Sequence, residues 1–484
     1  MANGDPFDPE LFRARGHAIV DRLADHLAAA GRAPADTPVL PWVPPAEMAK
    51  RWPATFDAPM DPLALVDAVV RGSNHLHDPR YVGHQVTSPL PTTALFELVA
   101  TLLNNGSAVY EMGPVSIGME RSVLGFLAQK LGFGAAADGV LTSGGSAGNL
   151  TALLAMRQAM AGYDAWGAGS TGGPPLAILA SDQTHYCVKR SAQVLGLGDD
   201  GVTSVPTDAR YRMRTELLEA KLAEATARGR KVIGVVGSAC STATGAIDPL
   251  DAIADFAERH GLWFHVDGAH GASLVLSQSL APRLRGIERA SSVVWDAHKM
   301  MLTPALLTAV VFREGHRSYE SFAQEASYLF AGAGPADAER NWWDVGQRTL
   351  ECTKRMMGFV LYATLATHGA AAIGAYVEGR VALTERFAAM LTDAGDFEVA
   401  VPPDANILCF RFTGARTGAR ATDDAAQDAA QARIRQRILE RGGFYIVQTR
   451  LRGRLWLRVT IINPRTDESH LVALMDEIRR VAAA

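Results

Sequence analysis

The sequence predicts an α/β protein with a mostly parallel central sheet, an N-terminal helical segment and a small C-terminal α+β domain. Three observations predict it. Between residues 86 and 375 short β-rich runs alternate with helical stretches, the arrangement of a sheet covered by helices. Most of those runs are apolar without polar alternation, as strands buried on both faces of a parallel sheet must be. Residues 376–484 then return to longer strands separated by helices.

The elements follow in order. Residues 9–30 carry Phe12, Ile19, Val20, Leu23 and Leu27 at helical spacing and stop at Gly31, which predicts a helix. The proline-rich PADTPVLPWVPP (34–45) predicts an extended connector. A second helix runs from Pro62 to Arg71 and ends near Gly72. This front segment, residues 1–85, is too small to hold a core and is expected to pack on another domain or at a dimer interface. In the large domain, 86–375, a strand runs into VLTSGGSAGNL (140–150), and further strands are LAILA (176–180), VIGVV (232–236), LWFHV (262–266), SVVWD (292–296) and AVVF (309–312). In the small domain, 376–484, the strands are ILCFRF (407–412), FYIVQ (444–448) and RLWLRVTII (454–462), and a closing helix spans about 467–482. The low-complexity TGARTGARATDDAAQDAAQ (413–431) reads as a solvated loop leading into a helix.

Composition narrows the class. The chain has 484 residues, 48% hydrophobic and 20% charged, with net charge -4. That is globular composition, and its slight acidity argues against nucleic-acid or membrane-surface partners. Cys187, Cys240, Cys352 and Cys409 lie far apart with no C-x-x-C pair, so they read as reduced core residues rather than zinc ligands or disulfides. The N-terminal MANGDPFDPELFRARGH lacks a basic stretch leading into an apolar run, and no apolar segment reaches the ~18 residues of a membrane span. A cytoplasmic compartment is expected.

Four stretches stand where strands end, the edge of a parallel sheet that carries chemistry. TSGGSAGN turns from strand to helix and aims backbone N–H groups, with the Ser143 and Ser146 hydroxyls, at an anion. SDQTHYCVKR (181–190) places His185 just beyond a strand. WFHVDGAHGA (263–272) ends a strand on Asp267, an expensive place for a lone carboxylate. VVWDAHKMML (293–302) sets Lys299 in an apolar run, and a buried lysine readily loses its proton and attacks carbonyls. His265, Asp267 and His270 together raise a metal reading, that of a metal-dependent hydrolase, though no further ligand cluster accompanies them. Taken in order, an anion cradle, an imidazole, a carboxylate and a lysine match the needs of pyridoxal 5'-phosphate: phosphate docking, ring stacking, protonation of the ring nitrogen and a Schiff base.

With these motifs in place, TSGGSAGNLTALLAMR, SDQTHYCVKR, SACSTATGAIDPL, HVDGAHGA and DAHKMML, the sequence resembles the group II pyridoxal-phosphate-dependent amino acid decarboxylases, relatives of the aromatic-L-amino-acid, glutamate and 2,4-diaminobutyrate decarboxylases. The likeness covers nearly the whole chain. It implies the aspartate-aminotransferase-like fold type I and a homodimer with active sites at the interface. It implies Lys299 as the Schiff-base lysine, His298 and the Gly145–Ser146 pair as phosphate contacts, and Asp267 as the partner of the ring nitrogen. His185 becomes the stacking histidine, Thr242 a neighbour of the ring and Thr87 part of the substrate site. Tyr328 in ASYLF matches a tyrosine that protonates the substrate carbon once carbon dioxide has left, which favours decarboxylation over aldehyde synthesis or aminotransfer on the same fold. His84 and Gln85 precede Thr87 where aromatic-acid decarboxylases supply aromatic residues, and Glu111 follows Tyr110. These departures point to a polar or cationic substrate side chain read by Glu111. Arg458 remains open between a carboxylate-binding and a structural role.

Overall fold

The computed structural model describes residues 5–32, 37–52, 56, 59–322, 342–414 and 423–483. It divides the chain into two units, one of residues 85–385 with 401–407 and one of residues 1–84, 386–400 and 408–484.

The larger unit is built on a seven-stranded sheet of order β1-β7-β6-β5-β4-β2-β3. These are β1 (Asp138–Thr142), β2 (Leu176–Ser181), β3 (Val202–Val205), β4 (Lys231–Ser238), β5 (Trp263–Asp267), β6 (Ser292–Asp296) and β7 (Thr308–Phe312). Strands β3, β2, β4, β5 and β6 pair in parallel, and β7 runs antiparallel between β6 and β1. Every residue of β1, β2, β5, β6 and β7 is buried, which is why these strands lack alternation. Helix Gly145–Met160 packs its Ala152, Leu153 and Met156 into this core beside Ile178, Val236 and Val294.

The topology puts the carboxyl ends of β1, β2, β4, β5 and β6 on one sheet edge, so Thr142, Ser181, Ser238, Asp267 and Asp296 end together. The sequence reading found six of the seven strands. It missed β3, a four-residue edge strand whose burial alternates with exposure; so short a run carries little pattern.

The second unit holds helices Pro9–Ala30 and Pro62–Gly72 and a sheet of order β10-β11-β9-β8. Its strands are β8 (Phe397–Val399), β9 (Ile407–Phe412), β10 (Val447–Leu451) and β11 (Arg454–Thr460). Both early helices begin with proline behind an aspartate cap, Asp8 and Asp61, the expected start signal. The strand expected over 444–448 starts later, at Val447. Tyr445 is instead occupied with Tyr81, to which it bridges and on which its ring stacks at 4.8 Å. No single helix among the described residues is long and apolar enough to cross a membrane.

Candidate active site

The shared sheet edge of the larger unit opens into a cavity of about 290 Å³. After β1 the chain turns through Ser143 and Gly144 into helix Gly145–Met160. Gly144 has φ +104°, a conformation open to glycine and strained for other residues. A Cβ on Gly145 would stand 2.9 Å from both carboxylate oxygens of Asp296, so only glycine lets the helix N-terminus sit this close to β6. Ser143, Gly144, Gly145 and Ser146 line the cavity, where N-terminal amides and the helix dipole favour an anion. Ser143 Oγ donates to Glu351.

Asp267 closes β5 and is 9% exposed; its Oδ1 accepts the Ala269 N–H at 3.2 Å. His185 caps helix Tyr186–Val194, its Nδ1 accepting the Cys187 N–H at 3.3 Å. Nε2 is then the nitrogen left to carry a proton. Burial and nearby Lys299 hold this imidazole below the usual histidine range, against the opposing pull of Asp267 and Asp296. Between β4 and helix Leu250–His260, Cys240 and Thr242 reach the cavity, and Cys240 adopts φ +74°, a strained value for a residue with a side chain.

Lys299 follows β6 by a short turn, its backbone N–H donating to the Asp296 carbonyl at 3.2 Å. Its side chain keeps 20% exposure, and Nζ lies 2.9 Å from Asp296 Oδ2. The ammonium is therefore held against Asp296 rather than extended to solvent. The expectation that burial leaves it neutral needs correction, however. Burial pulls the ammonium down, but ion pairing with Asp296, aided by Asp267 and Cys240, outweighs it, and the net direction is up. Asp296 is itself almost fully buried and accepts Thr308 Oγ1–H at 2.6 Å through its other oxygen. Sequence reading saw Asp296 as a strand end and missed this grip. The only available signal was its i,i+3 spacing to Lys299. His298 also lines the cavity, with Nδ1 2.9 Å from the Leu307 carbonyl oxygen.

The metal reading is corrected. His265 engages Ser292 Oγ at 2.8 Å and Asn149 Oδ1 at 2.9 Å, while His270 Nε2 meets Asn406 Oδ1 at 2.7 Å. Among the described residues no three His, Cys, Asp or Glu side chains converge as a metal site. With both its ring nitrogens satisfied, His265 has no lone pair left for a cation.

Thr87, His84 and Glu111, the residues expected to read the substrate, are not among those lining this cavity. Gln85 lines the cavity, whereas Thr87 is buried against Tyr376. His84 is exposed in the other unit, 5.7 Å from the Tyr445 ring. Glu111 is exposed on the turn Tyr110–Met112 and is not among the lining residues. Arg458 is buried in β11. Tyr328 lies outside the described residues.

The cavity thus pairs an anion-binding helix N-terminus with a strand-end carboxylate and a lysine, three complements to the phosphate, ring nitrogen and aldehyde of pyridoxal phosphate. Comparison with known proteins agrees. The family model "Pyridoxal-dependent decarboxylase conserved domain" matches residues 64–413. The chain belongs to this family.

Among its relatives, the aromatic-L-amino-acid decarboxylase of Bacillus atrophaeus is 26% identical over all of this chain and 98% of that protein. The cysteine sulfinic acid decarboxylase of Mus musculus is 33% identical over 69% of this chain and 67% of that protein. The aspartate 1-decarboxylase of Aliivibrio fischeri is 30% identical over 87% and 82%. The crystal structure of mouse CSAD in apo form superposes with TM-score 0.90 at 27% identity, covering 98% of this chain and 99% of that one. The crystal structure of Oryza sativa TDC with PLP and tryptamine does so with TM-score 0.89 at 26% identity, covering 99% of each. The protein is a pyridoxal-phosphate-dependent amino acid decarboxylase, a carboxy-lyase of fold type I.

Proposed function

We propose that this decarboxylase converts a small polar L-amino acid to the corresponding amine and carbon dioxide, with its cofactor carried on Lys299. The observation that supports this is a single cavity whose lining complements each end of pyridoxal phosphate. Bound there, the cofactor supplies an aldehyde that captures amines and a cationic ring that accepts the electron pair left when carbon dioxide departs.

The chain's own residues do the rest. Lys299 Nζ would hold the aldehyde. Gly145, Ser146 and His298 would hold the phosphate, and Thr242 would neighbour the ring. Asp267 keeps the proton on the ring nitrogen, because a buried carboxylate favours a cation beside it. His185, in the cavity lining with Nδ1 engaged by the Cys187 N–H, would neighbour the ring and offer Nε2 for proton movement. Tyr328 protonates the substrate carbon, so the reaction ends in an amine. The residues around the cavity would also orient the substrate carboxylate for departure, and positioning of that kind contributes several kcal/mol to catalysis.

Among the described residues the lining holds no Phe, Tyr or Trp, and Gln85, Ser241 and Thr242 give it polar character. That supports a small polar substrate side chain over a large aromatic one. The relatives named for aspartate and cysteine sulfinic acid support an acidic one. Glu111, exposed on its turn, supports a cationic one read by that carboxylate across the proposed subunit interface. Carbon dioxide release from aspartate, cysteine sulfinate, glutamate, diaminobutyrate, lysine, tyrosine and tryptophan separates these classes, and exclusive turnover of the aromatic pair would overturn the small-substrate reading. In the same preparation, borohydride should fix the cofactor to Lys299. Lys299→Ala should lose both that linkage and turnover; a variant keeping either refutes the assignment.

We further propose a cytoplasmic homodimer with its active sites at the subunit interface. Helix Pro91–Leu103 leaves Leu95, Leu98, Val99, Leu102 and Leu103 exposed, an apolar face of the kind that marks an interface.

A further inference from the structure

His265 stands in β5 two residues before Asp267 and is fully buried, yet each ring nitrogen has a polar partner. Nδ1 is 2.8 Å from Ser292 Oγ, and Nε2 is 2.9 Å from Asn149 Oδ1. The groups at the two ends assign the protons. Asn149 Nδ2–H donates to the Gly145 carbonyl at 2.9 Å, so the amide oxygen faces His265 and Nε2 carries the hydrogen. Trp263 Nε1–H donates to Ser292 Oγ at 2.9 Å, which leaves the serine hydroxyl hydrogen for Nδ1. One neutral tautomer satisfies every member, as a buried polar network requires. Burial pushes this imidazole down to about 4 against the opposing pull of Asp267, so the neutral form holds at physiological pH.

The far end of this relay is Gly145, the first residue of helix Gly145–Met160, which lines the cavity. That turn has little slack, because Asp296 already stands against the Gly145 α-carbon. We propose that His265 is a positioning residue for the phosphate end of the cofactor: the relay Trp263–Ser292–His265–Asn149 fixes the first helical turn where its backbone N–H groups grip the anion. The proposal rests on the cofactor reading of the cavity. It assigns a role to a side chain outside the cavity lining, one that the sequence suggested only as a metal ligand.

Two substitutions separate the arms of the relay. His265→Asn places an amide oxygen near the Nδ1 position and keeps the Ser292 arm. His265→Gln reaches further and keeps the Asn149 arm. Each holoenzyme is stripped of cofactor and titrated with pyridoxal phosphate by absorbance, the bound phosphate is followed by phosphorus NMR, and thermal stability is recorded. His265→Asn should bind the cofactor about tenfold more weakly, with a moved phosphorus resonance, and His265→Gln should stay within about threefold of the parent. Both should lose comparable thermal stability. Equal cofactor affinity in the two variants would overturn the relay. If either fails to fold, Asn149→Ser, which removes the donor to Gly145, should reproduce the tenfold loss, and parent-like affinity there overturns it equally. Borohydride fixation in the unsubstituted enzyme is scored alongside, so a failure of the cofactor reading shows there and not in the comparison of variants.

Discussion

At Lys299 burial and charge act in opposite directions. Burial disfavours the ammonium, while Asp296 at 2.9 Å favours it and prevails. The lysine is thus a held cation, and the carboxylate three residues earlier is what holds it. Asp267 differs, since its Oδ1 accepts a backbone N–H, that of Ala269, and its proposed service is to the cofactor ring. Asp267→Asn should lower kcat by about a hundredfold or more, the scale seen when one preorganised electrostatic group is removed, while the protein still takes up cofactor. Near-parental turnover would mean that another group keeps the ring nitrogen protonated. The Tyr328 proposal is tested by product. Tyr328→Phe should divert part of the flux to aldehyde and ammonia with consumption of oxygen, and an unchanged yield of amine would remove that residue from proton delivery.

The site is placed by elements as much as by residues. Helix Pro114–Lys130 is tied to β1 just before the anion-binding turn. Lys354 Nζ stands 2.6 Å from Glu120 Oε1 and donates to the Leu141 carbonyl at 2.7 Å, and that glutamate oxygen accepts the Leu141 N–H at 2.9 Å. Both side chains are buried, and removing one partner strands the other charge away from water. Lys354→Met should therefore cost about 3–5 kcal/mol in denaturant unfolding, and adding Glu120→Met should recover part of it. A single variant as stable as the parent would show that Glu120 finds another donor. The same logic explains Arg348, buried beside Asp138 at 3.2 Å at the start of β1.

For the whole molecule the exposed leucines of helix Pro91–Leu103 set the assembly prediction. A charge placed among them, Leu98→Asp or Leu102→Asp, should shift the proposed dimer to monomer in light scattering and lower activity with it. A parent that is already monomeric would refute the proposed dimer, and a variant that stays dimeric would move the interface elsewhere. Much of the architecture was legible beforehand. Buried strands announce themselves as apolar runs, and prolines behind Asp8 and Asp61 mark two helix starts. Strands β3 and β8 were not legible, because three or four residues at a sheet edge carry too little pattern. The start of β10 was misplaced because Tyr445 answers to Tyr81, remote in sequence.

The chain by itself determined the fold class, the glycine turn after β1, the order of lysine, carboxylate and imidazole along the strand ends, and through these the cofactor. These features are local: burial on two faces, backbone freedom and strand termini are all recorded in short windows of residues. Only the tertiary structure decided that β7 runs antiparallel between β6 and β1, that Asp296 grips Lys299, and that His265 serves Asn149 rather than a metal. A charge or a ring nitrogen shows its chemical type in the sequence but not its partner. Which partner it meets depends on strand order and packing distance, which residues far apart in the chain settle together.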